Sequence, residues 1–118
     1  GAVKAGFFAA TVGLSPDRLI ARYSAEPLKA LIIQAAGAER IETLCDAFEN
    51  FIRKEYEESG VTASGRFSPG YGDFELEAQK DIFSLLECPK RIGLTLNESL
   101  LMSPSKSVTA IIGLNKTI

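Results

Sequence analysis

The 118-residue sequence contains no histidine and no tryptophan, one methionine and two cysteines. Without histidine there is no Ser–His–Asp or Cys–His nucleophile pair and no HExxH zinc helix. No side chain titrates, unperturbed, near neutral pH. Cys45 and Cys88 lie outside any CxxC spacing. They make neither a disulfide framework nor a metal site, and they read as reduced thiols of a cytoplasmic protein. Excess positive charge is missing too: 13 Lys and Arg stand against 15 Asp and Glu, a net charge of −2. Phosphate neutralisation needs clustered surplus Lys and Arg, so nucleic acid is not an expected partner. A long hydrophobic run is absent as well. The apolar opening from Ala5 to Val12 falls far short of the roughly 20 residues of a membrane span, and a membrane is not expected either.

What is present has the balance of a folded globular domain, 46% hydrophobic and 24% charged residues, and its length is that of a single domain over 1–118. The opening stretch reads as a buried strand or helix end. Ser15-Pro16-Asp17 reads as a helix start, with Ser as cap, Pro in the first turn and an acid behind it. Pro27 opens a second, longer helix. In it Leu28, Leu31, Ile32, Ala35, Ile41, Leu44, Cys45, Phe48, Phe51 and Ile52 recur at three- and four-residue steps, which predicts a buried stripe that includes Cys45. Gly37 within it marks a kink or a close approach to a neighbour. The charged run Arg53 to Glu58 and then Ser59-Gly60 end the helix.

Residues 60–72 are rich in Gly and Ser and read as a loop, with room for a short strand around Arg66-Phe67. A helix over about 75–86 comes next, with Asp73 as its cap, and Cys88-Pro89 stops it. Two strand-like segments, 92–102 and 107–114, close the chain, joined as a hairpin through Ser103-Pro104-Ser105-Lys106. The fold class is α+β: a small, mostly antiparallel twisted β-sheet with one long helix and shorter helices packed on it.

The stretch 65–72 is where chemistry is most expected. Its three glycines allow close backbone approach, and Arg66 and Tyr71 supply a guanidinium and an aromatic face. It is neither a Walker loop nor a GxGxxG turn. Glu98 reads as a polar residue inside an apolar strand, more simply solvent-facing than inward, and Lys106 as a solvated turn residue. With no diagnostic pair of acid and base, no independent catalytic residue and no metal ligand set is identified.

Arg66-Phe67-Ser68-Pro69-Gly70-Tyr71 resembles the Arg-x-x-Pro-Gly-Tyr signature of the activation domain of cobalamin-dependent methionine synthase. The flanks are similar in order. Phe51-Ile52-Arg53-Lys54-Glu55-Tyr56 resembles the family's Val-Arg-Lys-x-Tyr helix end. Ile92-Gly93-Leu94-Thr95-Leu96-Asn97-Glu98-Ser99 resembles its Gly-x-x-Leu-Thr-Glu-Ser. Met102-Ser103-Pro104 and Ser107-Val108-Thr109-Ala110 resemble its Met-Trp-Pro and Ser-Val-Ser-Gly stretches. The likeness runs from about Phe7 to Gly113 and is closest to short, stand-alone relatives of the domain.

The resemblance implies binding of S-adenosylmethionine through Arg66, Ser68, Pro69, Gly70 and Tyr71, with Glu98 and Ile112 as further contacts. Arg66 would take the ligand carboxylate, Gly70 and the carbonyls near Pro69 the adenine or amino group, and Tyr71 the adenosine or sulfonium. Ile111 and Ile112 stand where the family carries a tyrosine. The implied activity is reductive methylation of cob(II)alamin. Cobalamin would be carried by a partner, a methionine synthase or corrinoid module, and the electron would come from a flavodoxin-like donor. The family's N-terminal segment, with an aspartate at the ligand, has no counterpart after Gly1, so 1–118 reads as the C-terminal part of such a domain. A second reading stays open: an interaction protein of the same fold that docks on a corrinoid protein without binding S-adenosylmethionine.

Overall fold

The structure is a computed structural model that describes residues 3–116; the readings placed on Gly1 and at the end of the chain lie outside it. The elements in chain order are β1 (Val3–Thr11), α1 (Ser15–Arg22), α2 (Pro27–Glu57), β2 (Val61–Phe67), α3 (Ala78–Leu86), α4 (Cys88–Ile92), β3 (Thr95–Leu96), β4 (Met102–Ser103) and β5 (Ser107–Lys116). The architecture is α+β, as the periodicities predict. The main sheet is antiparallel in the order β1-β5-β2. Phe7 and Phe67 both pair with Ile111 across β5, and Gly6 and Arg66 both pair with Ile112.

Side chains alternate across the sheet, so one face of β5 presents Ala110, Ile112 and Leu114. This face, with Phe8 and Ala63, buries Ile41 and Cys45 of α2. Phe48 of α2 tilts against Phe8 with ring centroids 5.0 Å apart. The other face is covered at one end by Phe83, Cys88 and Leu94, which pack near Ala9 with Leu96 and Met102. Both thiols are fully buried, and burial pushes each of them up from its ordinary pKa. No helix among the described residues is long and apolar enough to cross a membrane.

Helix α2 has 31 residues, about 46 Å at 1.5 Å per residue, and the strands are too short to cover it. Its buried residues are Gly37, Ile41 and Cys45. The expected stripe is therefore only partly buried: Leu28, 71% exposed, together with Leu31 and Ile32, lies where α2 runs on past the sheet. Gly37 is a close approach rather than a kink. A Cβ there would stand 3.1 Å from Cγ of Lys106, whose stem lies over the helix and whose Nζ donates to Gln34 Oε1 at 2.6 Å. Lys106 is thus half-buried, not a freely solvated turn residue.

Four other expectations are corrected. First, Leu14 rather than Ser15 caps α1, and Asp17 accepts from the Ser105 N–H at 2.8 Å and from its hydroxyl, tying α1 to the segment before β5. Second, residues 61–67 form an edge strand, because pairing with the apolar β5 overrides the weak strand preference of Ser and Gly. Third, α3 begins at Ala78, so Asp73 does not cap it, and Cys88-Pro89 opens α4 after a left-handed Glu87 instead of ending α3. Fourth, the hairpin joins β3 to β4 within 95–103, while β5 belongs to the other sheet.

Candidate functional site

The residues singled out at 66–71 stand at the end of the edge strand β2, and two local devices shape them. The first is a register shift in the β2–β5 pairing between Ala63 and Arg66, a bulge at Ser64-Gly65 that re-aims the rest of the strand. Side chains replace the interrupted ladder: Ser64 Oγ accepts from Gly113 N–H at 2.9 Å, and Glu49 Oε1 accepts from Arg66 N–H at 2.9 Å. The second is the turn Ser68-Pro69-Gly70-Tyr71. Tyr71 N–H donates to Ser68 O at 3.2 Å, and Gly70 has φ +93°. Pro at the second position and a positive-φ Gly at the third are the requirements of a type II turn. Gly70 N–H is used within the loop, donating to Phe74 O at 2.8 Å. Among the described residues none donates to the carbonyls of Pro69 and Gly70.

Arg66 points toward α2, where three carboxylates meet it. Nη2 donates to Glu42 Oε2 at 2.7 Å and Nη1 to Asp46 Oδ1 at 2.8 Å, and Glu49 Oε1 lies 3.5 Å from Nη1. Burial works against the Arg66 charge, but the hydrogen bond to Asp46 and the surrounding negative charge outweigh it and hold the guanidinium above its ordinary range. The acids stand at positions 42, 46 and 49, steps of four and three that place them on one side of a helix. That spacing is the signal the sequence carries. It does not single the acids out, because charges on a long helix are usually solvated, and because nothing local links them to an arginine on a strand.

Two depressions adjoin at this edge. One, the polar depression, of about 380 Å3, is lined by the polar residues Glu42, Glu49, Arg66 and Ser68 together with the rings of Phe67 and Tyr71. The other, of about 500 Å3, is apolar and lined by Phe67, Tyr71, Gly72, Asp73, Phe74 and Ile111. Phe67 and Tyr71 belong to both. Tyr71 is 80% exposed, and Phe67 is also exposed on the sheet face turned away from α2. The strand edge therefore carries a guanidinium with acids on one side and an aromatic shelf on the other.

Not every expected residue comes here. Arg66, Ser68 and Tyr71 line the polar depression, and Pro69 and Gly70 form the turn between them. Ile112 is the cross-strand partner of Arg66, but its side chain is buried in the core beside Cys45. Its neighbour Ile111 lines the apolar depression. Glu98 is exposed in the turn between β3 and β4, not inside a strand, and lines neither depression. Asn97 organises that turn, its Oδ1 accepting from the N–H groups of Ser99 and Leu101 at 2.9 and 3.0 Å.

The family described as "Vitamin B12 dependent methionine synthase, activation domain" matches residues 2–117. Among solved structures, the chain is similar to the crystal structure of the MetH reactivation domain bound to AdoHcy. The TM-score is 0.77, with 25% sequence identity over 92% of this chain. The match takes up 38% of that structure's chain, so the sequence spans well under half the length of the relative.

Proposed function

The chain belongs to the activation-domain family of vitamin B12-dependent methionine synthase, and from that premise we propose that it binds S-adenosylmethionine at the edge of β2. There it supports the reductive methylation of cob(II)alamin on a methionine synthase or corrinoid module. The observation that carries this reading is the pair of adjoining depressions that share Phe67 and Tyr71. An adenosyl amino acid has the same division, a charged head and an aromatic body. Arg66 suits the head because a guanidinium fork takes a carboxylate in two hydrogen bonds. The carbonyls of Pro69 and Gly70 are acceptors suited to an ammonium or an adenine amino group. Phe67, Tyr71, Phe74 and Ile111 suit the rings. Glu42, Asp46 and Glu49 outnumber Arg66, and this excess negative charge favours a ligand that carries a sulfonium.

In this role Arg66, the Pro69 and Gly70 carbonyls, Phe67 and Tyr71 would hold S-adenosylmethionine as the methyl donor, leaving S-adenosylhomocysteine in the site, and a corrin on the partner, supplied with an electron by a flavodoxin-like donor, would supply the acceptor chemistry. The chain's own residues bind and orient. None is required to move a proton, which agrees with a site built from Arg66, main-chain carbonyls and aromatic rings. The relative in the crystal structure is bound to AdoHcy, a molecule with the same adenosyl and amino-acid parts as the proposed ligand.

A second reading has one observation in its favour. Arg66 is already paired with carboxylates of its own chain, as it would be in an interaction protein that docks on a corrinoid module and takes no S-adenosylmethionine. Titration calorimetry separates the two. Binding that falls by about tenfold or more in Arg66→Ala, the loss of a charge-assisted pair, is the expected result. Absence of heat at millimolar S-adenosylmethionine removes the first reading and leaves the second.

A further inference from the structure

The three carboxylates around Arg66 are not equivalent. Glu42 and Asp46 make the shorter contacts, yet their side chains are 61% and 65% exposed. They can swing into water at little cost, and a ligand carboxylate can take their places on the guanidinium. Glu49 is 16% exposed and cannot leave in this way. Its Oε1 accepts the Arg66 main-chain N–H at 2.9 Å and lies 3.5 Å from Nη1, and its Oε2 is 3.6 Å from Nη2 of Arg53. One carboxylate thus grips both the main chain and the side chain of Arg66, at the point where the β2 bulge has interrupted the ladder.

We propose that Glu49 is the positioning residue of the site: it fixes the Arg66 guanidinium through main chain and side chain together, while Glu42 and Asp46 are the exchangeable partners that a ligand carboxylate displaces. Glu49 need not touch the ligand. It sets where the fork stands at the mouth of the polar depression, and so governs recognition of the carboxylate without affecting the aromatic shelf. The inference rests on the reading that Arg66 takes the ligand's carboxylate.

The test compares two ligands by calorimetry, S-adenosylhomocysteine and 5′-methylthioadenosine, which share the adenosine and differ in the amino-acid head. The wild-type chain is expected to prefer the first by about tenfold or more, and Arg66→Ala to abolish that preference. Glu49→Ala is expected to lower the preference about fivefold or more while 5′-methylthioadenosine affinity stays within about twofold. Glu49→Gln keeps an acceptor for the Arg66 N–H and is expected to restore most of it. If Glu49→Ala does not fold, Glu49→Asp, with its shorter reach, takes its place with the same expectation.

An unchanged preference in Glu49→Ala or Glu49→Asp, alongside its loss in Arg66→Ala, overturns the positioning role and leaves the binding reading standing. An equal loss of both ligands in the Glu49 variants also overturns it, because that is what a merely structural residue produces. A wild-type chain with no preference, or one whose preference survives Arg66→Ala, removes the binding reading and the inference with it.

Discussion

Distance and burial rank the partners of Arg66 in opposite order, and a pair of double-mutant cycles decides between them. Glu42 is the nearer, at 2.7 Å against 3.5 Å for Glu49. Glu42 is exposed, however, and an exposed pair is worth about 0.2–1 kcal/mol once solvent screening and side-chain entropy are counted. Glu49 and Arg66 are each 16% exposed. At an effective dielectric near 20 their gross attraction is about 5 kcal/mol, and desolvation removes more than half, leaving about 2 kcal/mol. Arg66→Ala combined with Glu49→Gln, which spares the acceptor for the main-chain N–H, is expected to show a coupling of about 2 kcal/mol. Arg66→Ala combined with Glu42→Gln should show about 0.5 kcal/mol. The assay is urea unfolding followed by circular dichroism, repeated in 1 M NaCl, where the Glu42 coupling should vanish and the Glu49 coupling should largely persist. A Glu42 coupling equal to or larger than that of Glu49 would refute the burial argument, and with it the division into fixed and exchangeable carboxylates.

The buried thiols predict a loss of stability in alkali. Their folded pKa values are raised above the ordinary 9.0, so their contribution is complete below about pH 9 and is lost as pH rises toward the folded values. The slope reaches at most about 1.4 kcal/mol per pH unit for each thiol, between its unfolded and folded pKa. Urea unfolding from pH 8 to pH 10 should therefore show a steeper decline than in a Cys45→Ala/Cys88→Ala variant. Equal declines in the two proteins would contradict the thiols' burial. Tyr71→Ala should leave the unfolding free energy within about 0.5 kcal/mol, because the ring is exposed. It should nevertheless weaken S-adenosylmethionine binding measurably by calorimetry, and unchanged affinity would take Tyr71 out of the site.

Legibility in the sequence tracks how local each signal is. Pro27, the three- and four-residue apolar steps and Ser59-Gly60 delimit α2 closely, because caps and periodicity act within a few residues. Ser68-Pro69-Gly70 announces its own turn in the same way. Only the end of β2 at Arg66-Phe67 is legible, since Thr62, Ser64 and Gly65 acquire strand geometry only from β5, some fifty residues later in the chain. The expected hairpin at 103–106 fails for a related reason: Asn97 closes an earlier turn, and which sheet β5 joins is decided by Phe7 and Phe67 on distant strands. Leu28, Leu31 and Ile32 keep helical periodicity but lie beyond the sheet, and period alone cannot tell how far a covering surface extends. Arg66 is visible as a residue, whereas its setting is not, since Glu42, Asp46 and Glu49 precede it by 17–24 positions.

The strand order β1-β5-β2 also governs the order of events at the ribosome. The central strand is the last to be synthesised, and each outer strand hydrogen-bonds to it rather than to the other. Until residues 107–116 have emerged, β1 and β2 have no ladder to join, and Phe8, Ile41 and Cys45 lack the apolar face that buries them. Sheet assembly thus waits for residues 107–116, while α2 can form as soon as it clears the exit tunnel. A nonsense codon just before Ser107 would release a chain with all four described helices encoded, no main sheet, and two unpaired strands free to associate between molecules.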